Sequence, residues 1–428
     1  MKGRAAGKRA AWGLADQAFS SLTNFALSAV IARSVSPREF GGFAVVFATY
    51  LLTLGIARAL TTLPLLVRHS AVTEEEWRDG ARRATGTALV VGVIAGAACA
   101  VAGLLFTGAR GSLIALAVTL PGLLLQEAWR HSFIARGKPS MALVNDLAWT
   151  IVLIPAMVLP IWLGVRSADV FVLAWGAAGA AGGLVGIAQS RLVPAPAHAW
   201  SWLRTHWDIS GRQLGEFAAL SGSHQLVMYV AGGVVGLVAA GALRAGQVLL
   251  GPLHVAYQGI WFITLPELVR VLKSRPSSFA RTSAVVSIVL AAGGLAYTVL
   301  ILVFGETLGP MLLGKTWPNA RDVVFPLALA ATSTGAWLGA NVGLRALQQP
   351  SRSLRIRLVV TTLTLAGGVI GVLVAGAPGA AWGLAITSLL GVPIWWWQFG
   401  LGVSEGRELE APTALADELE VAAEETLA

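Results

Sequence analysis

The chain has 428 residues, 56% of them hydrophobic and only 12% charged, with a mean hydropathy of +0.71. Soluble globular domains carry about twice that share of charge, so the composition excludes an ordinary soluble enzyme. A membrane span needs about 20 apolar residues, and apolar runs recur along nearly the whole length, which describes a polytopic membrane protein with no large extramembranous domain. The formal charge of +9 hides an uneven distribution: from Glu405 onward eight acids face one arginine, Arg407, so the rest of the chain is more basic than the total. In a membrane protein such an excess sets orientation and does not imply nucleic acid binding. The single cysteine, Cys99, lies in a run of small residues with no second thiol to pair with, and reads as a packing residue.

In chain order, the apolar runs between charge clusters predict twelve transmembrane helices: 12–32, 42–67, 85–106, 112–135, 145–165, 170–190, 214–235, 242–268, 283–304, 323–345, 358–375 and 380–400. They are far longer than the roughly ten-residue strands of a membrane barrel, so the fold class is all-α. The first run follows Lys2, Arg4, Lys8 and Arg9 as a signal peptide does, yet it is longer and more polar than an h-region and no convincing cleavage site follows. It reads as the first span. The termini and even-numbered connections, counted with Arg130 near the inner end of the fourth span, hold 22 of the 31 Lys and Arg residues, which places both termini in the cytoplasm by the positive-inside rule.

The two halves align at an offset near 200. Asp16, Ser21, Thr23 and Asn24 fall on Glu216, Ser221, Ser223 and His224; Leu63-Pro64 through Arg68 falls on Leu265-Pro266 through Arg270; and Arg136-Gly137-Lys138-Pro139-Ser140 falls on Leu347-Gln348-Gln349-Pro350-Ser351 at 211. Three matches in one order predict an internal repeat. Six helices per unit, an even number, would make the halves parallel lobes around a central cavity. The expected units are an N-terminal lobe 1–190, a cytoplasmic linker 191–211, a C-terminal lobe 212–402 and an acidic cytoplasmic tail 403–428.

The segment Ala15-Asp16-Gln17-Ala18-Phe19-Ser20-Ser21-Leu22-Thr23-Asn24-Phe25, followed by Ala32-Arg33-Ser34-Val35-Ser36-Pro37-Arg38-Glu39-Phe40-Gly41, is a helix with a polar stripe, a short turn and a second helix. Leu243-Arg244-Ala245-Gly246-Gln247 through Leu265-Pro266 repeats the look. The chain resembles the polysaccharide flippases of the multidrug/oligosaccharidyl-lipid/polysaccharide exporter superfamily. The resemblance implies alternating access and movement of a polyprenyl-pyrophosphate-linked oligosaccharide from the inner to the outer leaflet of the cell membrane. It implies as partners the lipid-linked substrate, membrane lipids and polysaccharide-assembly enzymes, with a monomer as the working unit. A cation-coupled multidrug antiporter of the same superfamily is the nearest alternative reading, and a membrane enzyme acting on lipid-linked sugars a more distant one.

Charges inside spans carry the chemistry. Arg58 stands ten residues before Arg68, about 15 Å along the helix from that anchor. An arginine at mid-span costs about 2.5–3.5 kcal/mol unless it has a partner or faces water. Glu127 lies at similar depth in the same half, so an Arg58–Glu127 ion pair and an arginine reserved for pyrophosphate are both open readings, and Glu127 could equally pair with Arg130 or His131 one turn on. Arg244 near the outer end of the eighth span and Arg345 near the inner end of the tenth are placed to snorkel, and would otherwise add cationic stations to a shared cavity. Asn24 and His224 occupy matching mid-span positions and complete the candidate substrate-binding set. Asp16, Glu127 and Glu216 are the carboxylates to suspect if an ion is coupled. Trp395-Trp396-Trp397 reads as an interfacial belt, and the tail from Glu405 as solvated, with helix-forming residues over 414–426. No phosphate-cradling glycine loop and no metal-spaced histidines occur, so neither a cofactor nor a metal is expected.

Overall fold

The computed structural model describes residues 19–220 and 222–427, with side chains placed for all of these except 219–220, 222–224, 261–262, 350 and 406–427. Every regular element among the described residues is helical. In the first half these are α1 (19–34), α2 (Pro37–Arg68), α3 (Glu74–Leu105), α4 (Arg110–Ala135), α5 (Pro139–Trp162) and α6 (Ala168–Ser190). A short connecting helix, α7 (Ala199–Thr205), leads to α8 (Trp207–Leu220), α9 (Gly222–Val230), α10 (Leu237–Leu249), α11 (Gly251–Ser274), α12 (Phe279–Leu313), α13 (Trp317–Ala346) and α14 (Pro350–Leu427). Seven helical runs are long and apolar enough to cross a membrane, or up to eight if α10 and α11, bent by 50°, form one span. Two of those runs fold back on themselves: α12 and α13 pack as a hairpin about Gly314 (φ 52°), and α14 breaks at Ala375 and Gly376 (φ 62°).

Local chemistry explains the turns. Ser36 caps α2 with Pro37 in the first turn and Glu39 reaching back to the Ser36 amide at 3.1 Å, a capping box that accounts for the Ser-Pro-Arg-Glu motif. Thr73 and Glu76 form the same device at the start of α3. The turn after α4 has Gly137 at φ +75°, and the turn after α13 has Gln348 at φ +57°. In the first, Lys138 N–H donates to Phe133 O (2.9 Å); in the second, Gln349 N–H donates to Leu344 O (3.1 Å). A proline then opens the next helix in both. The sequence match at 211 is thus a match of turn geometry.

Within each half one helix is central: α4 packs on α3 and α6, and α13 packs on α12 and α14. The halves meet along α2 and α10 at the end of the bundle near residues 33–41. A Cβ on Gly41 would lie 1.8 Å from the Leu237 carbonyl oxygen, so only glycine lets the two backbones approach this closely. Arg33 donates to Met311 O (2.8 Å) and Thr316 to Ala32 O (3.2 Å) across the same seam.

The segment 191–211 is held against the first half. Ala195 N–H donates to Arg82 O (2.8 Å), the Arg82 side chain donates to Val193 O (3.2 Å), and α7 packs on α3. Its apolar face, led by the buried Trp202, explains the docking, and α8 begins at Trp207 rather than 214. The tryptophan belt also needs correction: Trp395 is buried and stacks on Trp337 (5.1 Å between centroids), Trp396 donates to Ala336 O (2.9 Å), and Trp397 alone of the three is 65% exposed. The backbone of the acidic tail continues as helix to Leu427.

Candidate functional site

Arg58 opens a π-turn, Arg58–Thr62, in the middle of α2. Pro64 explains it: proline has no N–H to offer the Leu60 carbonyl, and the wider turn closes instead through Leu63 N–H donating to Arg58 O. The bulge aims Arg58 between two cavities. One, of about 390 Å³, lies between the halves and is lined by Arg58, Gln213, Glu216, Gln225 and Arg357 with apolar residues of α2 and Phe217. The other, of about 150 Å³, lies within the first half and is lined by Ser20, Asn24, Tyr50, Arg58, Glu127, Arg130 and Asp146 among others.

In the smaller cavity Arg58 is ion-paired with Glu127, its Nε 2.8 Å from Oε1 and its Nη2 in contact with the same oxygen. The Glu127 side chain is 8% exposed while that of Arg58 is 41% exposed, so the guanidinium keeps one face toward the central cavity. Arg58 is thus ion-paired on one side and lines the central cavity on the other.

Glu127 also meets Arg130 (3.3 Å) and His131 (3.3 Å) on its own helix. Arg130 reaches Asp146 on α5 (3.4 Å), and Gln126 donates to Asp146 (2.8 Å) and Asn145 (3.2 Å). Asn145 in turn donates to Gly182 O (2.9 Å) and Gln189 (3.1 Å) on α6. In a low-dielectric interior such a network holds only when its members satisfy one another. Arg130 figured only as an alternative partner of Glu127, and Gln126, Asn145 and Asp146 were not candidates from sequence, where the fifth span began at 145. The helix starts at Pro139 instead, and that lead turn carries Asn145 and Asp146 inward.

The other candidates divide. Glu216 lines the central cavity opposite Arg58. Asn24 lines the inner cavity, its amide donating to Ser20 O (3.0 Å), a local bond that occupies one donor. Arg244 does not snorkel at a helix end: α10 starts at Leu237, and Arg244 sits two turns in, bonded to Ser28 (2.9 Å) and 3.9 Å over the Phe47 ring. It clamps the seam between the halves and lines neither cavity. Arg345 is exposed near the end of α13 and lies outside both linings, whereas Arg357, absent from the candidate set, lines the central one. Its helix begins at Pro350, eight residues before the expected span, and this draws Arg357 inward. Asp16 and the His224 side chain lie outside the described residues.

No family model matches the chain, and no curated protein resembles it significantly. Solved structures do. The lipid II flippase MurJ in an inward closed conformation superposes with a TM-score of 0.67 at 11% identity, over 94% of this chain and 92% of that one. A multidrug resistance MATE family transporter of the MOP superfamily, inward-facing, gives 0.64 at 14% identity, over 91% and 95%. A MOP superfamily transporter from Pyrococcus furiosus, described by the reverse polarity of its binding pocket, gives 0.56 at 11%, over 94% and 96%. The chain is a multi-pass membrane protein that shares the overall fold of these solved structures.

Proposed function

We propose that the protein is an alternating-access flippase that moves a polyprenyl-pyrophosphate-linked oligosaccharide from the inner to the outer leaflet for cell-surface polysaccharide assembly. The observation that carries this reading is the central cavity, where Arg58 and Arg357 present guanidinium groups from opposite halves beside the amides of Gln213 and Gln225. Guanidinium stays protonated and offers a fork of donors matched to phosphate oxygens, while the amides suit sugar hydroxyls. Twelve spans form two parallel six-helix lobes, 1–190 and 212–402, and the shared turn geometry at Gly137 and Gln348 supports that division. With both termini cytoplasmic, the cavity opens toward the cytoplasm and the Gly41–Leu237 seam closes the outer side. The polyprenyl tail stays in lipid. Export of an anion from a negative-inside cell gains about 2.3 kcal/mol per charge per 100 mV, so membrane potential alone suffices as a driving force.

Glu216 favours a second reading. With Arg58 already neutralised by Glu127, a carboxylate in the cavity wall suits a cation, as a multidrug antiporter of the same superfamily requires.

The test is transfer of a lipid-linked oligosaccharide across proteoliposomes by the native chain, Arg58→Ala/Glu127→Ala and Arg357→Ala at matched protein levels. Loss of transfer in both variants supports the flippase. Full activity in the double variant makes the pair structural and leaves Arg357 to carry the site. No transfer by folded native protein, with cation-driven drug efflux retained and abolished by Glu216→Gln, establishes the antiporter.

A further inference from the structure

The connection between the halves touches the site. Pro64 leaves the Leu60 carbonyl without a helical donor, and the Trp202 indole N–H, from α7, supplies one at 3.1 Å. Leu60 lies inside the π-turn that begins with Arg58. Trp202 is 2% exposed and stacks on His206 (centroids 3.9 Å apart), with His69 stacked beyond it (5.7 Å) and the two histidine rings 5.8 Å apart. Gly80 of α3 makes room for His69, since a Cβ there would meet its Nδ1 at 2.6 Å, and that nitrogen is buried without a hydrogen-bond partner. An Arg68–Asp208 pair (2.7 Å) and Arg68 donating to Thr205 O (2.9 Å) close the assembly.

We propose that this connection is a proton-released latch: the Trp202 indole holds the π-turn and so sets the direction of Arg58, and protonation of His69 and His206 undocks α7 and frees the turn. Trp202 is thus a positioning residue acting through Leu60.

The electrostatic surroundings agree with the sign. Burial lowers the pKa of both histidines; for His69 the neighbouring His206 lowers it further, against Glu76 and Asp79 of α3. For His206, the bond to Trp202 O and the charge of Asp208 oppose burial, while Arg68 and Arg83 act with it. The docked state therefore favours neutral rings, and docking weakens as pH falls below the free-histidine value of about 6.5.

The link to transport rests on the reading of Arg58 given above, but the latch itself is tested without transport. Amide hydrogen exchange of the full chain in lipid nanodiscs is followed in peptides covering 58–69 and 196–207. Corrected for intrinsic exchange, acidification from about pH 7.5 to about pH 5.5 is expected to speed both segments about fivefold or more, while 110–135 stays constant. His69→Gln/His206→Gln abolishes that pH response. Trp202→Phe keeps the ring stack, loses the N–H, and speeds exchange in 58–69 at pH 7.5. Native exchange independent of pH, or a response that persists in the double histidine variant, overturns the latch. A folded Trp202→Phe protein with unchanged exchange in 58–69 overturns the positioning role.

Discussion

The two halves share turns and packing order yet fill their centres with opposite chemistry. At the offset of 211 that matches their hairpins, Gln126 corresponds to Trp337, Glu127 to Leu338, Arg130 to Asn341 and Asp146 to Arg357. In the first half these positions form a charged network; in the second, Trp337 stacks on Trp395 and Leu338 is buried in the apolar core. Arg357, instead of pairing within its half, faces the cavity. The first half thus buries a charged network, while the second has an apolar core and presents Arg357 and Glu216 to the shared cavity.

The largest test of this contrast copies the second half into the first. Glu127→Leu leaves Arg58 and Arg130 short of a counter-charge and is expected to cost about 3–5 kcal/mol, read as a lowered unfolding temperature in detergent. Arg58→Leu/Glu127→Leu should recover most of that loss, because Arg130 still meets Asp146. Failure of the double variant to recover stability would mean that the pair is not the unit that matters. Next, Arg357→Ala removes charge-assisted hydrogen bonds worth about 1.5–3 kcal/mol to a bound phosphate, about tenfold or more in transfer rate, with little change in melting. Equal losses of rate and stability there would place Arg357 in the scaffold.

Gly41→Ala drives a methyl group into the Leu237 carbonyl and should destabilise the closed seam by about 1–3 kcal/mol, visible as faster proteolysis near the 33–41 turn. The smallest effects come from the two matching hairpins. Gly137 has open space around it, so Gly137→Ala should cost about 1 kcal/mol through backbone strain alone, whereas Gln348→Gly should gain about 0.5 kcal/mol. Opposite signs in melting measurements would show that the two turns are one structural device written with different residues.

Much of the fold is legible in the chain because its signals are local. The spacing of apolar runs follows from the cost of transfer into lipid, and Ser36-Pro37-Arg38-Glu39 specifies a helix start through bonds made within one turn. The Arg58–Glu127 pair is legible for a related reason: depth in the membrane can be counted along each helix from its basic anchor. Asp146 and Arg357 are not, because each lies near a helix start and its assignment depends on whether the helix begins before the apolar run. Counting apolar residues marks the lipid-facing stretch, while Pro139 and Pro350 start their helices outside it.

By itself the sequence determined that this is an all-helical membrane protein with an internal resemblance between its halves and a charged pair deep in the first. Those properties rest on solvation and on contacts a few residues apart. Only the tertiary structure decided that Arg244 clamps the seam through Ser28 and Phe47, that Arg357 joins Arg58 at one cavity, and that Trp202 answers the carbonyl Pro64 leaves open. Such contacts join helices separated by a hundred residues or more, and they depend on the rotation and tilt of each helix, which packing sets and no local signal records.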